Sequence, residues 1–319
     1  MAGVLNFIVS FAVMASIYAI FTIGLNIHYG YTGLLNFGIA GFFAVGAYTT
    51  ALFSSPMPSG VMATYIKQAF GLNLPFPLGV FAAGAIAGVL AALIGLLTLR
   101  LSEGYLAIST IGIAETIRIF INNEIWLANG PQGIVGIKRP LQGVVPPAYY
   151  NYVYLAIVLV FLAVVYLAAE RGIRSPWGRV LRAVREDEVM ANADGKSVFF
   201  FKLQALVVGA VFMGMAGALY AHYSVAIQPG VFEPLFGTFI IWTMLMLGGT
   251  GNNKGAVLGA FIVWAIWAFS SIIIGKIVPE SFQTRAPFIR FVLIGLLLVI
   301  ILVRRPRGII GEERQVSRF

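Results

Sequence analysis

Long hydrophobic runs separated by short polar stretches form the main pattern of the 319-residue chain. A helix needs about 20 mainly apolar residues to cross the hydrocarbon core of a bilayer. Runs of about that length lie at about 4–27, 33–53, 76–98, 105–122, 151–169, 201–222, 235–249, 255–275 and 287–303. The second run is rich in glycine and the seventh is short, so each is a candidate for a broken or re-entrant helix. We therefore predict an all-α polytopic membrane helix bundle of about nine spans (eight to ten), in a single domain over residues 1–319.

Composition agrees with a membrane protein and narrows the chemistry. Hydrophobic residues make up 60% of the chain and charged residues 10%, whereas soluble domains carry about 25% charged residues. The chain has no cysteine and only two histidines, His28 and His222, which excludes thiolate metal sites and cysteine nucleophiles. It shows neither a Ser/His/Asp set nor paired catalytic carboxylates. We predict no catalytic residue, no metal and no cofactor, and hence no enzyme activity of its own.

Charge placement predicts the topology. Segment 170–202 holds seven of the 21 Lys and Arg and five of the 12 Asp and Glu. When this segment is placed in the cytoplasm, 14 of the 21 Lys and Arg fall on the cytoplasmic side and 6 on the outer side, as the positive-inside rule predicts. We expect the N-terminus outside and the C-terminus in the cytoplasm. The net charge of +9 then reflects topology, and no nucleic-acid partner is expected.

The polar segment 170–202 has the pattern of short amphipathic helices. Ser175 followed by Pro176 is a typical helix start, and Gly195 is a typical stop. One apolar stripe is formed by Trp177, Val180, Leu181 and Val184, and the opposite side carries Arg179, Arg182, Arg185 and Glu186, followed by Asp187 and Glu188. Such short helices are marginal alone, which favours docking to a partner over a plain topology-setting loop.

A second interpretation of this segment is nucleotide binding. Gly195-Lys196-Ser197 resembles the end of a phosphate-binding loop, but the first glycine of that motif falls at Met190 and no strand precedes it. We therefore expect any ATP hydrolysis to take place on another chain.

Few polar groups fall within the predicted spans. Glu115 and Arg118 are three residues apart, so they can pair along one helix face; they either mark a substrate path or form a self-neutralising pair between helices. Asn36 stands among the glycines of the second span and is a further candidate for the substrate path. His28 and His222 are expected to be interfacial or hydrogen-bonded residues, neither ligands nor bases.

Nine short segments spread over the chain carry a family resemblance. They are 24–26 (G-L-N), 29–38 (Y-G-Y-T-G-L-L-N-F-G), 98–101 (T-L-R-L), 104–107 (G-Y-L-A), 175–179 (S-P-W-G-R), 185–188 (R-E-D-E), 216–223 (A-G-A-L-Y-A-H-Y), 247–251 (L-G-G-T-G) and 255–260 (G-A-V-L-G-A). Taken together, they resemble the LIV-type (branched-chain amino acid) ABC importer permeases, specifically the second of the two permease subunits.

The resemblance implies a bacterial inner-membrane complex. Its expected partners are a second homologous permease, two cytoplasmic ATP-binding subunits and a periplasmic substrate-binding protein. It also implies that residues around 175–196 couple to the ATPases, with Trp177, Arg179, Arg182, Glu186, Asp187, Glu188 and Gly195 as the expected coupling residues. The alternatives are a related importer for urea or short amides, or an independent carrier or channel.

Overall fold

The structure, a computed structural model, describes residues 2–60, 63, 66–147, 149–233, 237–277, 286–305 and 307–312. These residues form twelve α-helices and one two-stranded antiparallel ladder, Ile134–Val135 with Ala226–Ile227. The helices are α1 (Ala2–Leu25), α2 (Ile39–Ser54), α3 (Phe76–Thr98), α4 (Glu103–Asn123), α5 (Ile125–Ala128), α6 (Tyr150–Arg174), α7 (Pro176–Glu186), α8 (Glu188–Ala193), α9 (Val198–Ser224), α10 (Phe239–Gly248), α11 (Asn253–Ile277) and α12 (Ala286–Arg304). The prediction of an all-α bundle is confirmed.

Six helices in the described part of the chain are long and apolar enough to cross a membrane: α1 with its π-helical extension Asn26–Gly30, α3, α4, α6, α9 and α11. Three shorter apolar helices are α2, α10 and the stretch Phe288–Ile301 within α12. Each predicted run therefore overlaps a helix, while six of the nine have full spanning length. The count of about nine crossings depends on the three shorter ones.

Helix α9 lies at the centre of the bundle, packed against α1, α2 and α3. Its glycines allow close approach, because a Cβ on Gly214 would meet Ala83 and Ala87 of α3, and one on Gly217 would meet the Phe43 carbonyl of α2. Association of helices in lipid depends on such small residues, since hydrophobic burial gives no advantage there. The glycines of α9 thus hold the core together.

The bundle has two distinct ends. The near face is the end that carries α7 and α8, where α6 finishes, α9 begins and α10 finishes. The far face is the opposite end, where Ser54 closes α2 and His222 lies close to the end of α9. A hydrogen bond between Thr50 and His222 (2.9 Å) joins the two helices there.

Candidate functional site

Two short helices on the near face form the segment predicted to dock a partner. Pro176 takes the first helical position of α7, and the Ser175 hydroxyl bonds back to the Gly172 carbonyl (2.6 Å) instead of capping α7. Asp187 separates the helices and caps α8, because its carboxylate accepts from the amides of Val189 (2.8 Å) and Met190 (3.0 Å). Gly195 follows α8 with φ of +74°. The predicted start and stop are confirmed.

Helix α7 is held on the bundle by its apolar side. Leu181 and Val184 are fully buried, and Gly178 lies so close to Ile173 that a side chain there would overlap the Ile173 backbone. Trp177 is half-buried, and its indole N–H donates to Gln204 of α9 (2.9 Å). The element therefore moves with α6 and α9 and is not a loose loop.

Arg185 ties α7 to two distant parts of the chain. Its guanidinium donates to the Gly30 carbonyl and, at 2.7 Å, to the Glu312 carboxylate. Arg182 adds an ion pair to Glu312 at 3.4 Å, and its guanidinium lies 5.8 Å from the centre of the Tyr31 ring. Burial raises the pKa of Tyr31 above its usual value, so this phenol is neutral beside the arginines.

The last described residues connect this cluster to α10. Ile309 and Ile310 donate their backbone amides to the carbonyls of Leu247 (2.8 Å) and Gly248 (2.9 Å), which end α10. Glu312 is therefore held by the same segment that is bound to α10. Arg185 consequently contacts both the segment leading into α2, through Gly30, and the segment attached to α10, through Glu312.

An amide network completes the near face. Asn26 donates to Asn253 (3.0 Å) and accepts from the Gly251 amide (2.9 Å), and Asn253 donates to Glu170 (3.1 Å).

A cavity of about 900 Å³ opens on the near face beside this amide network. Its charged lining consists of Arg174, Arg179, Arg182, Arg185, Lys254, Glu170, Glu186 and Glu312. The excess of basic groups makes this cavity attractive to acidic side chains of a partner.

Replacing Arg185 by alanine is expected to destabilise the fold by about 1.5–3 kcal/mol, because hydrogen bonds to a charged group contribute that much and the Gly30 carbonyl loses its donor. Arg179 is the matched control: it is exposed, and its side chain makes no hydrogen bond or ion pair within the described residues, so Arg179→Ala should stay within about 0.5 kcal/mol. Thermal unfolding in detergent measures both. Equal losses in the two variants would contradict the role of Arg185.

The predicted coupling residues divide into anchors and exposed groups. Trp177 and Arg182 bond within the bundle, Asp187 caps α8, and Glu188 pairs with Lys202. Arg179, Glu186 and Gly195 face solvent. Helix α8 also carries two apolar side chains, Val189 and Met190, which are 79% and 66% exposed. The charge pattern alone did not single them out, although two consecutive apolar residues within an acidic turn were the available signal.

Inside the bundle, two short helices begin at the same place. The non-helical segment 33–38 leads into α2, and α10 begins directly after Thr238. The Thr238 hydroxyl donates to the Phe37 carbonyl (3.0 Å), and the Phe37 ring stacks on Trp242 at 4.7 Å between centroids. From this point, called the crossing, α2 runs to the far face and α10 to the near face. Their positive dipole ends therefore meet.

A small aromatic cavity lies at the crossing. Its volume is about 20 Å³, room for about one water molecule. The lining is Tyr18, Phe21, Ala40, Phe43, Tyr220, Val231, Phe232, Gly237 and Ile240. First-turn residues of both α2 and α10 thus face an apolar space that is closed in this conformation.

Asn36 lies next to the crossing, and its side chain is hydrogen-bonded inside the protein. Its side-chain oxygen accepts from the Gly38 amide (2.8 Å), and its amide group contacts His28 Nδ1 at 3.2 Å. His28 Nε2 lies 2.9 Å from the Leu206 carbonyl. A carbonyl only accepts, so Nε2 carries the proton and Nδ1 accepts from Asn36. Asn36 is therefore a buried support for the start of α2, and the expectation that both histidines are hydrogen-bonded is confirmed.

Glu115 and Arg118 form the predicted ion pair on α4. Arg118 Nε lies 2.9 Å from one carboxylate oxygen and 3.1 Å from the other. Their side chains are 35% and 22% exposed. The pair lies one helix outward from the crossing, to which α4 is linked by Thr110 accepting from the Phe37 amide (3.1 Å).

The family model and the relatives that match this chain carry the same description, a permease of branched-chain amino acid transport. Residues 7–302 match a family model described as branched-chain amino acid transport system / permease component. A probable branched-chain amino acid transport permease protein LivM of Methanocaldococcus jannaschii is 29% identical, over 93% of this chain and 91% of the relative. In Salmonella typhimurium, the high-affinity permease proteins LivM and LivH of that transport system are 29% and 25% identical, over 96% and 94% of this chain and 70% and 92% of those relatives. No solved structure is significantly similar to the chain.

Proposed function

Because the chain belongs to the family of branched-chain amino acid permease components, we propose that it is the membrane-spanning subunit of an ATP-driven importer for branched-chain or related amino acids. The family match over residues 7–302 carries this proposal. Salmonella typhimurium has two relatives of this chain in one transport system, which supports a complex of two related permeases. The other proposed partners are two cytoplasmic ATP-binding subunits and a periplasmic substrate-binding protein.

The near face is the proposed docking site for an ATP-binding subunit. Trp177, Arg182, Asp187 and Glu188 hold α7 and α8 on the bundle, while Val189, Met190, Arg179 and Glu186 meet the partner. The exposed apolar pair supplies contact area, and the charged groups around it fix register and exclude wrong partners. ATP is hydrolysed on the partner, and the resulting conformational change is transmitted to this chain.

The proposed coupling runs through Arg185. It contacts the Gly30 carbonyl, which precedes the α2 segment, and Glu312, whose segment is bound to the end of α10. A displacement of α7 therefore pulls on both helices that begin at the crossing. Separating α2 from α10 would enlarge the closed aromatic cavity and let an apolar side chain pass. Asn36, Glu115 and Arg118 remain proposed members of this path.

The proposed topology follows from this assignment. The near face is cytoplasmic and the far face is periplasmic, which places the N-terminus outside and the C-terminus inside. The chain spans a bacterial inner membrane about nine times. Helices α2 and α10 each pass through only part of the bilayer, and their first turns meet at the crossing.

Reconstitution tests the function. Liposomes that contain this chain with its co-expressed permease and ATP-binding subunits should accumulate radiolabelled leucine or isoleucine only when ATP and binding protein are present. The chain alone should move nothing. Solute movement by the chain alone would indicate an independent carrier or channel, and ATP-driven uptake of urea but not leucine would indicate the related amide importers.

A further inference from the structure

A groove on the far face remains outside this mechanism. It has a volume of about 750 Å³ and lies between the start of α3 and the first half of α6. One wall is Phe76 and Pro77, and the other is formed by Val153, Ala156 and Val160. Ala156 and Val160 are exposed. These walls belong to helices of full spanning length, so the groove opens towards the hydrocarbon of the bilayer.

Two basic side chains lie at the edge of the groove, on the loop that precedes α6. Lys138 and Arg139 are both exposed and both line it, and no acidic residue is among the lining residues. Lys138 Nζ bonds only to the Asn73 amide oxygen (3.2 Å), and the Arg139 guanidinium lies 5.0 Å from the centre of the Tyr150 ring. Within the described residues, neither forms an ion pair, so two positive charges are left uncompensated above an apolar groove.

The loop that carries these charges is fixed in position. The Lys138 carbonyl accepts from Nδ1 of the buried His222 at 2.7 Å, and His222 Nε2 accepts from Thr50 at 2.9 Å. The Ile137 amide donates to the Val225 carbonyl (2.9 Å). Leu141 adopts a left-handed conformation with φ of +57°, which turns the loop over the groove. Hydrogen bonds to His222 and Val225 therefore fix the backbone of the loop that carries Lys138 and Arg139.

We propose that this groove binds an anionic phospholipid from the leaflet at the far face. Its phosphate bonds to Lys138 and Arg139, and one acyl chain lies along Val153, Ala156 and Val160. Charge complementarity selects this occupant, since Lys and Arg form strong charge-assisted hydrogen bonds to phosphate. An amino-acid substrate would find no acidic group for its ammonium, and basic residues on the non-cytoplasmic side are not needed as topology signals.

Lipid binding to the full-length chain, purified with any subunits that accompany it, tests the site. Native mass spectrometry and thermal unfolding would be measured with added phosphatidylglycerol, phosphatidylcholine or inorganic phosphate. Phosphatidylglycerol should be retained and should raise Tm, while the other two should not. The double variant Lys138→Gln/Arg139→Gln should weaken phosphatidylglycerol binding about thirtyfold. Lys67→Gln, which removes an exposed far-face charge outside the groove, should leave binding unchanged.

A second variant isolates the acyl-chain part. Ala156→Trp fills the groove without touching either basic residue, and its exposed position allows the fold to persist; it should also lower phosphatidylglycerol binding. Equal binding of phosphatidylcholine, unchanged binding in the double variant, or unchanged binding in Ala156→Trp would each overturn the proposal. Stabilisation by inorganic phosphate equal to that by the lipid would indicate a soluble-anion site and overturn it as well.

Discussion

Replacing Val189 and Met190 together by glutamate is expected to abolish ATP-dependent uptake while leaving the chain folded and inserted. Both side chains are largely exposed at the tip of the near face, so the isolated subunit tolerates the change. In the assembled importer the two carboxylates would be buried without partners, which costs several kcal/mol per buried unpaired charge. Co-purification of the ATP-binding subunits and uptake into vesicles are the measurements.

Val144 provides the matched control for this variant. It is 78% exposed and lies in the loop between the strand Ile134–Val135 and α6, away from α7 and α8. Val144→Glu should keep subunit association. Normal association of the Val189/Met190 variant would contradict docking through α8, and loss of membrane insertion in that variant would show that the two residues act in folding.

The three consecutive acidic residues Glu186, Asp187 and Glu188 are less suitable for such a test. Asp187 caps α8 and Glu188 pairs with Lys202, so reversing all three acidic charges would also unfold the docking element. Glu186 is exposed, and its side chain makes no hydrogen bond or ion pair within the described residues. Reversal of Glu186 alone therefore separates recognition by the partner from the stability of α8.

Gly46→Val is expected to prevent accumulation of folded protein. A Cβ at Gly46 would overlap the Gly214 carbonyl and lie about 2.5 Å from the Gly214 Cα, so α2 and α9 would have to separate. Overpacking typically costs about 1–3 kcal/mol when side chains can adjust, and backbone cannot adjust in that way. Yield of monodisperse protein in detergent and its thermal unfolding report the effect.

Gly112→Val is the control for that substitution. Gly112 is also a helical glycine, in the middle of α4, but a Cβ there meets nothing within 4 Å. Its yield and Tm should stay close to those of the unchanged chain. If both valine variants accumulate equally, the close contact of α2 with α9 does not control folding.

Features set by local sequence were predictable. Every predicted run overlaps a helix because apolar composition over about 20 residues suffices to define a span. Pro176 and Gly195 mark the ends of the docking element because their backbone preferences act locally. Glu115 and Arg118 pair because three residues bring them to one face of a helix.

Features set by distant contacts were not predictable. Glu312 reaches Arg182 and Arg185 from more than a hundred positions away, and no local pattern in a basic C-terminal segment marks that acid. Asn36 was a candidate for the substrate path from its polarity alone, whereas its partners His28 and Gly38 make it a support for α2. The meeting of α2 with α10 depends on Phe37 and Thr238, which the sequence separates by 201 positions.

The small volume of the cavity at the crossing limits the leak of ions across the membrane. A cavity with room for about one water molecule, lined by the aromatic rings of Tyr18, Phe21, Phe43, Tyr220 and Phe232, cannot hold a continuous file of water. Within the part of the chain that the structure describes, protons and small ions therefore find no continuous water path through this cavity. In this conformation the cavity at the crossing therefore offers the membrane potential no water-filled leak.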